Sequence, residues 1–166
     1  MDDCPFAFYD EQPWVVQDDF AVLLSLEESK KAFLSDYFLC GPLTIISDDF
    51  CKVISEFNTN LELIPVKIFC GDSKELQFYT LHIMSIVDLI DREESIFAGI
   101  KYGMIGGITS LKLKTMPEED IVFLKNTYNP ITIVSDELRD AINAHRLSGM
   151  TFLGFEKYKE NVRDVL

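Results

Sequence analysis

The chain has 166 residues, 48% of them hydrophobic, and a formal net charge of −13. This length predicts one domain that buries roughly 70% of the surface exposed by the unfolded chain, so that folding requires no metal and no disulfide. The apolar content excludes a disordered chain, and no apolar run approaches the roughly 18 residues of a membrane span.

The acidic charge is concentrated near the start of the chain. Residues 1–60 carry twelve carboxylates against three lysines, a net −9 of the total −13. Such a field repels nucleic acid and anionic membranes, and it attracts a basic partner. An excess of acid also keeps a protein soluble, so the charge alone leaves both interpretations open.

The amino-terminal residues predict a cytoplasmic protein. Residues 1–5 are acidic and lack the basic start and apolar stretch of a secretory signal. The four cysteines show no paired Cys-x-x-Cys spacing, which favours reduced thiols that pack as small core residues.

The first third of the chain predicts short elements. Residues 14–16 form an early strand, and residues 20–26 fit either a helix or a strand because a short apolar run does not fix the period. Residues 29–37 are weakly helical up to Gly41 and Pro42, and residues 43–46 form a strand.

A capped helix and a hairpin follow. Ser47 is the predicted N-cap of a helix that ends at residues 58–60. Its buried face is Phe50, Val53, Ile54 and Phe57. Residues 61–69 form a strand in which Pro65 predicts an edge position or a bulge. Residues 71–73 turn the chain, and residues 76–83 form the returning strand.

The last elements alternate strands with one clear helix. Residues 85–92 fit neither the helical nor the strand period fully. Gly103, Gly106 and Gly107 predict a flexible connection. Residues 111–114 alternate apolar and polar side chains, which predicts a half-exposed strand. Strands are expected at residues 121–124, 131–134 and 151–155. Ser135 starts a helix that ends at Gly149, with an inner stripe of Leu138, Ala141, Ile142 and His145.

These elements predict the α+β class. We expect one domain spanning residues 1–166, with a mixed, mainly antiparallel sheet and a few flanking helices. Within it, residues 1–60 are the acidic portion, residues 61–155 the core, and residues 156–166 a polar tail.

The residues that carry catalysis in other proteins are sparse in this chain. His82 lies in an alternating strand and His145 on an apolar helix face, so packed imidazoles are favoured over a nucleophile–base pair. Adjacent acids such as Asp48 and Asp49 are typical of a helix start rather than of a metal site. The glycine-rich stretch 103–107 lacks the P-loop and dinucleotide patterns. We therefore predict no enzyme, no metal and no cofactor.

The remaining candidate is a binding surface for another protein. Such surfaces place a few aromatic anchors within a polar rim. The amino-terminal third offers aromatic residues among its carboxylates, and the candidate binding residues are Trp14, Asp18, Asp19, Tyr37, Asp48 and Asp49.

Several strings in the second part of the chain resemble a known bacterial family. In order they are LELIPVKI from Leu61, IVDLID from Ile86, Glu94-Ser95, IVSDEL from Ile133 and LSGMTF from Leu147. Together they resemble a family first catalogued as a domain of unknown function and later grouped with the immunity proteins of polymorphic toxin systems.

The resemblance implies a small cytoplasmic protein that binds one toxin delivered by contact-dependent or secretion machinery, and silences it without catalysis. The acidic charge favours a nuclease as that toxin, because nucleases present basic surfaces to phosphates. Two alternatives remain: an acidic mimic of nucleic acid that blocks a DNA-handling protein, and an unrecognised enzyme that uses His82 or His145.

Overall fold

The computed structural model describes residues 22–26, 34–70, 74–101, 103–128 and 131–155. Within these ranges lie ten strands: β1 (Val22–Leu26), β2 (Tyr37–Cys40), β3 (Leu43–Ser47), β4 (Leu61–Cys70), β5 (Lys74–Ile83), β6 (Ile86–Val87), β7 (Ile96–Lys101), β8 (Met104–Ser110), β9 (Ile121–Leu124) and β10 (Thr132–Val134). The two helices are α1 (Asp48–Ile54) and α2 (Asp136–Ala144). The described fold is mostly β with two helices, in rough agreement with the predicted α+β class.

The largest sheet has five strands in the order β1-β4-β5-β3-β2. Its neighbours are antiparallel except for β1 and β4, which run parallel. The predicted hairpin is confirmed, since β4 and β5 pair from Leu61↔Ile83 to Cys70↔Lys74. The ambiguous apolar run is a strand at Val22–Leu26, and the early strand expected at residues 14–16 lies outside the described residues.

Pro65 does not produce the predicted bulge. Its pairing with Tyr79 continues the register of the hairpin without a shift. The described part of β1 pairs with β4 from Val66 onward, and the neighbour of Pro65 on that side lies outside the described residues. β4 itself lies between β1 and β5, so it is not the edge strand that Pro65 also predicted.

Two smaller sheets complete the strands. One has the order β10-β9-β6, with β6 parallel to β9, and the other is the β7–β8 hairpin. The flexible connection predicted at Gly103, Gly106 and Gly107 is wrong for the last two, which lie inside β8. Register shifts interrupt the β7–β8 pairing, and glycine within a strand commonly accompanies such irregularity. Gly103, with φ of 80°, lies between the two strands.

The amino-terminal helix expected over residues 29–37 is wrong in its described part. Tyr37 instead begins β2, which pairs with β3 from Tyr37↔Ile46 to Cys40↔Leu43. A weak helical pattern is overridden here by strand pairing. The helix after Ser47 is confirmed, but it ends at Ile54 rather than at residues 58–60, and Phe57 packs against the core from beyond its end.

The second helix also ends earlier than predicted. Leu147 N–H donates to the Ile142 carbonyl (3.1 Å) and Arg146 N–H to that of Asn143 (3.0 Å), which together form a Schellman motif. Arg146 takes the left-handed position with φ of 57°. Gly149 is therefore not the helix stop, and His145 is an exposed C-cap rather than part of the buried stripe.

The core is divided into three clusters that β9 and the large sheet separate. One face of the large sheet packs on α1 and α2, and its other face buries Ile45, Val66, Ile68 and Phe78. All four residues of β9 are buried. Ile121 and Phe123 belong to the cluster beneath the helices, while Val122 and Leu124 belong to the cluster around the smaller sheets. A fully apolar strand is thus explained by burial on both faces.

The last predicted strand does not form. Residues 151–155 pair with no described strand, although Phe152 and Phe155 pack against two of the core clusters. Residues 111–114 likewise contribute only an isolated bridge, between Ile90 and Leu113. Apolar side chains of both segments pack against the core, and residues 111–114 exchange two backbone hydrogen bonds with their neighbours, from Lys114 N–H to the Leu89 carbonyl (2.8 Å) and from Asp91 N–H to the Lys112 carbonyl (2.9 Å).

Candidate functional site

The start of α1 brings two of the candidate carboxylates together. Ser47 caps the helix by accepting a hydrogen bond from Phe50 N–H (3.1 Å), which places Asp48 and Asp49 in the first turn. Lys52, one turn later, bonds Asp48 at 2.7 Å and Asp49 at 2.9 Å. The two acids and the lysine leave one net negative charge on an exposed helix face.

Hydrogen bonds within this cluster control its ionisation. The bond from Lys52 holds the pKa of Asp48 below its ordinary value, and the bonds to Asp48 and then Asp49 raise the pKa of Lys52. Burial, followed by the charge of Asp48, raises the pKa of the neighbouring Cys51 thiol and that of the Tyr79 hydroxyl. Asp48 is therefore ionised at neutral pH, and Cys51 is a poor nucleophile.

Tyr37 lies beside this helix but is only partly exposed. Its ring is 6.0 Å from that of Phe50, tilted by 46°, and it packs against the cluster beneath the helices. Of the six candidate residues, the structure thus gathers Tyr37, Asp48 and Asp49 around α1. Trp14, Asp18 and Asp19 lie outside the described residues.

A hydrogen-bonded clamp holds the start of β2 against the loop that follows α2. Asp36 accepts bonds from the N–H and the hydroxyl of Ser148 (2.8 Å each) and from the Ser47 hydroxyl (2.9 Å). Tyr37 N–H donates to the Ser148 carbonyl (3.1 Å). At Gly149, with φ of 97°, a Cβ would lie 1.9 Å from the Tyr37 carbonyl oxygen. The two segments therefore approach more closely than any side chain permits.

The two histidines occupy different environments. His82 is 1% exposed, and its Nδ1 lies 3.3 Å from the carboxylate of Glu62, directly opposite on β4. His145 is exposed at the end of α2. Two of the acids at residues 118–120 make structural contacts: Asp120 accepts from Asn58 N–H (2.9 Å) and Glu119 from the Ser85 hydroxyl (3.2 Å). No cluster of metal-ligating side chains occurs among the described residues.

A groove runs along β10, the outer strand of the three-stranded sheet. Its cavity of about 530 Å³ is lined mainly by two segments, residues 131–134 and residues 151–155. Met116 and Leu153 stand exposed at its border, and Asp136 and Arg139 lie at the start of α2. Sequence reasoning did not identify this groove, because it depends on a strand that fails to form.

Comparison with known proteins places the chain in a family. A sequence model described as immunity protein 43 matches residues 17–162. The chain belongs to the immunity protein 43 family. This confirms the suspected resemblance to immunity proteins and extends it towards the amino terminus, from residue 61 to residue 17. No curated protein matches the chain.

Side chains within the sequence strings that carried the family resemblance form hydrogen bonds to the backbone. Ser135 caps α2 by accepting from Leu138 N–H (3.1 Å), and the Ser95 hydroxyl both donates to and accepts from the backbone of Lys112 (3.1 and 3.0 Å). Asp91 accepts from two backbone N–H groups of the following turn. Together with the clamp at Ser148 and Gly149, these contacts hold the backbone of this chain at several turns and at the start of α2.

Neither of the two helices in the described residues is long and apolar enough to cross a membrane.

Proposed function

We propose that this member of the immunity protein 43 family neutralises one cognate toxin by binding it in a one-to-one complex in the cytoplasm of the producing cell. The observation that carries the proposal is the family match over residues 17–162. The protein acts by covering a surface of the toxin and performs no chemistry itself. In the described residues, His82 is buried beside the Glu62 carboxylate, which supports a structural role for its imidazole, and His145 is exposed at the end of α2.

The favoured toxin is a nuclease with a basic substrate-binding surface. The formal charge of −13 supports this choice, because carboxylates can occupy the positions that phosphates take in the substrate complex. Opposite charges also steer the two proteins together and raise the association rate by about 10-fold to 1000-fold at low salt.

The proposed contact surface includes the exposed face of α1. Asp49 and Asp48 are 75% and 50% exposed, and Tyr37 offers a partly exposed aromatic ring beside them. Trp14, Asp18 and Asp19 complete the proposed surface. Lys52 compensates part of the local charge, so a basic toxin side chain would compete with it for the two carboxylates.

The direct test is co-expression with the product of the gene immediately upstream. If the proposal is correct, that product arrests growth alone, growth is restored when this protein is present, and the two proteins co-purify in equal amounts. Failure to restore growth and to co-purify would contradict the proposal. Turnover of a small molecule that disappears in His82→Gln or His145→Gln would replace it with the enzyme interpretation.

The role of charge is tested by kinetics. Association measured from about 50 to about 300 mM NaCl should slow by at least about tenfold, because the Debye length shortens over this range. A variant carrying Asp48→Asn and Asp49→Asn should also dissociate faster. The matched control carries Glu93→Gln and Glu94→Gln, which removes the same charge from another exposed segment. Equal dissociation rates in the two variants would exclude α1 from the interface.

A second candidate is an acidic mimic of nucleic acid that blocks a DNA-handling protein unrelated to a toxin. The concentration of net charge −9 in residues 1–60 favours it. Under this alternative, the protein would bind a nucleic-acid-binding protein in competition with DNA. It would not restore growth when the upstream product is expressed.

A further inference from the structure

The outer edge of β10 presents backbone groups that no described strand uses. Leu124 N–H donates to the Ile131 carbonyl (2.9 Å) and Ser135 N–H to the Asp120 carbonyl (2.9 Å), so Ile131, Ile133 and Ser135 direct their backbone groups towards β9. Alternate residues of an antiparallel ladder point the other way. Thr132 and Val134 therefore direct their N–H and C=O groups into the groove.

Residues 151–155, the second segment that lines the groove, are also free of strand pairing with the described strands. Within the described part of the chain, no backbone hydrogen bond joins β10 to residues 151–153 across the cavity of about 530 Å³. The walls are largely apolar, formed by Leu111, Met116, Phe152, Leu153 and Phe155. An open edge strand inside an apolar groove is the arrangement that accepts an added strand, with main-chain bonds supplying affinity and the groove contacting alternate side chains.

The charge at one end of the groove indicates the type of strand. Residues 136–140 of α2 contain three carboxylates against the single Arg139. Asp136 and Arg139 both line the groove, and Arg139 bonds Asp136 and Asp140, so this turn of α2 keeps a net charge of −2. The side chain of Asp136 is 80% exposed despite its bond to Arg139. A strand entering this groove gains most if an apolar stretch is followed by a lysine or arginine near Asp136.

We propose that the groove along β10 binds an extended segment of the cognate toxin, apolar with a basic residue at one end, as an added β-strand. This inference rests on the proposed immunity function, because that function supplies the partner. Thr132 and Val134 provide the main-chain hydrogen bonds, and Met116 and Leu153 cover the inserted side chains.

The test compares groove variants with a control of equal exposure. Met116 and Leu153 are 58% and 56% exposed, and Ile96, outside the groove, is 60% exposed. Met116→Asp and Leu153→Asp place a charge in the groove, while Ile96→Asp places the same charge elsewhere. Binding to the purified upstream-gene product should weaken at least about tenfold for each groove variant, which is about 1.4 kcal/mol, and less than about twofold for the control. Thermal unfolding of all three confirms that folding is retained.

Amide hydrogen exchange distinguishes the addition of a toxin strand to β10 from binding that covers the groove without main-chain hydrogen bonds. In the free protein the amides of Thr132 and Val134 should exchange quickly, and in the complex they should be strongly protected. Unchanged binding of both groove variants, or unprotected amides in the complex, would overturn the strand proposal while leaving the immunity function intact. A dimer of this protein that Leu153→Asp dissociates would identify a second copy, rather than the toxin, as the occupant. If the wild-type protein neither binds the upstream product nor restores growth, both proposals fail.

Discussion

Asp36 and Ser148, 112 positions apart in the chain, hold each other through reciprocal hydrogen bonds. Ser148 donates its N–H and its hydroxyl to the same Asp36 carboxylate oxygen (2.8 Å each), and the Ser148 hydroxyl oxygen accepts from Asp36 N–H (3.1 Å). This pair ties the residues just before β2 to the loop after α2. The clamp therefore connects segments that are far apart in the sequence.

Gly149→Ala should be strongly destabilising. A Cβ at this position would lie 1.9 Å from the Tyr37 carbonyl oxygen, and the φ of 97° is unfavourable for alanine. We expect the free energy of unfolding to fall by about 3 kcal/mol or more, measured by urea denaturation. Gly41→Ala is the control, because φ is 59° there and no atom lies within 4 Å of the added Cβ. The free energy of unfolding of that variant should fall by only about 1 kcal/mol. Equal losses in the two variants would show that the close approach of Gly149 to Tyr37 is not the cause.

The clamp should make stability depend on pH at the acidic end. Partial burial alone would raise the pKa of Asp36, but the hydrogen bonds from Ser148 and Ser47 outweigh it and hold the pKa below the ordinary value of 3.8. The folded state therefore binds this proton less readily than the unfolded state, so the contribution is present above about pH 4 and is lost as the pH falls below that.

Asp36→Asn isolates this contribution. At pH 7 the variant should be less stable by about 1 kcal/mol, a value reduced because the side chain is partly exposed to solvent. Its stability should then fall less steeply than that of the wild type between about pH 5 and about pH 3. Parallel pH profiles for the two proteins would show that Asp36 is not responsible.

Ser47 and Ser135 cap their helices with the same geometry but differ in a second contact. Each hydroxyl accepts an N–H three residues later at 3.1 Å, and Ser47 also donates to Asp36 (2.9 Å). We expect Ser135→Ala to cost about 1 kcal/mol and Ser47→Ala about 2 kcal/mol by urea denaturation. Equal costs would show that the bond to Asp36 contributes nothing beyond the cap.

Arg146→Gly should stabilise the protein. Arg146 is exposed and takes the left-handed conformation (φ of 57°) in the Schellman motif, which glycine adopts without the steric penalty of a Cβ. We expect thermal unfolding to show a gain of about 0.5 kcal/mol, since the greater freedom of glycine in the unfolded chain offsets part of the benefit. Asn126→Gly, at φ of 64°, should gain less because asparagine tolerates this region. A loss of stability in Arg146→Gly would mean that the arginine makes a stabilising contribution.

Local signals in the sequence predicted local structure well. Ser47 and Ser135 were identified as helix caps because capping depends on residues only three positions away. The β4–β5 hairpin followed from alternation on both sides of a short turn. Long-range relationships were not predictable in this way, because neither Asp36 nor Ser148 carries any mark of a partner 112 residues distant.

The errors have physical causes of the same kind. Glycines such as Gly106 and Gly107 usually mark turns or loops, but pairing with β7 places these two inside a strand. Gly149 looked like a helix stop, yet its role is to let the chain pass close to Tyr37. Of the candidate binding residues, Asp48 and Asp49 were placed correctly at a helix start, but their engagement by Lys52 depends on side-chain geometry.

The parallel pairing of β1 with the second half of β4 has a consequence for biosynthesis. Val22–Leu26 leaves the ribosome well before Val66 to Cys70, the residues with which it pairs. The antiparallel hairpin of β4 and β5 can close as soon as both strands are synthesised, whereas the parallel ladder requires a distant connection. β1 is thus expected to dock after the hairpin has formed, although it is translated first, and the nascent chain exposes it to chaperones in the meantime.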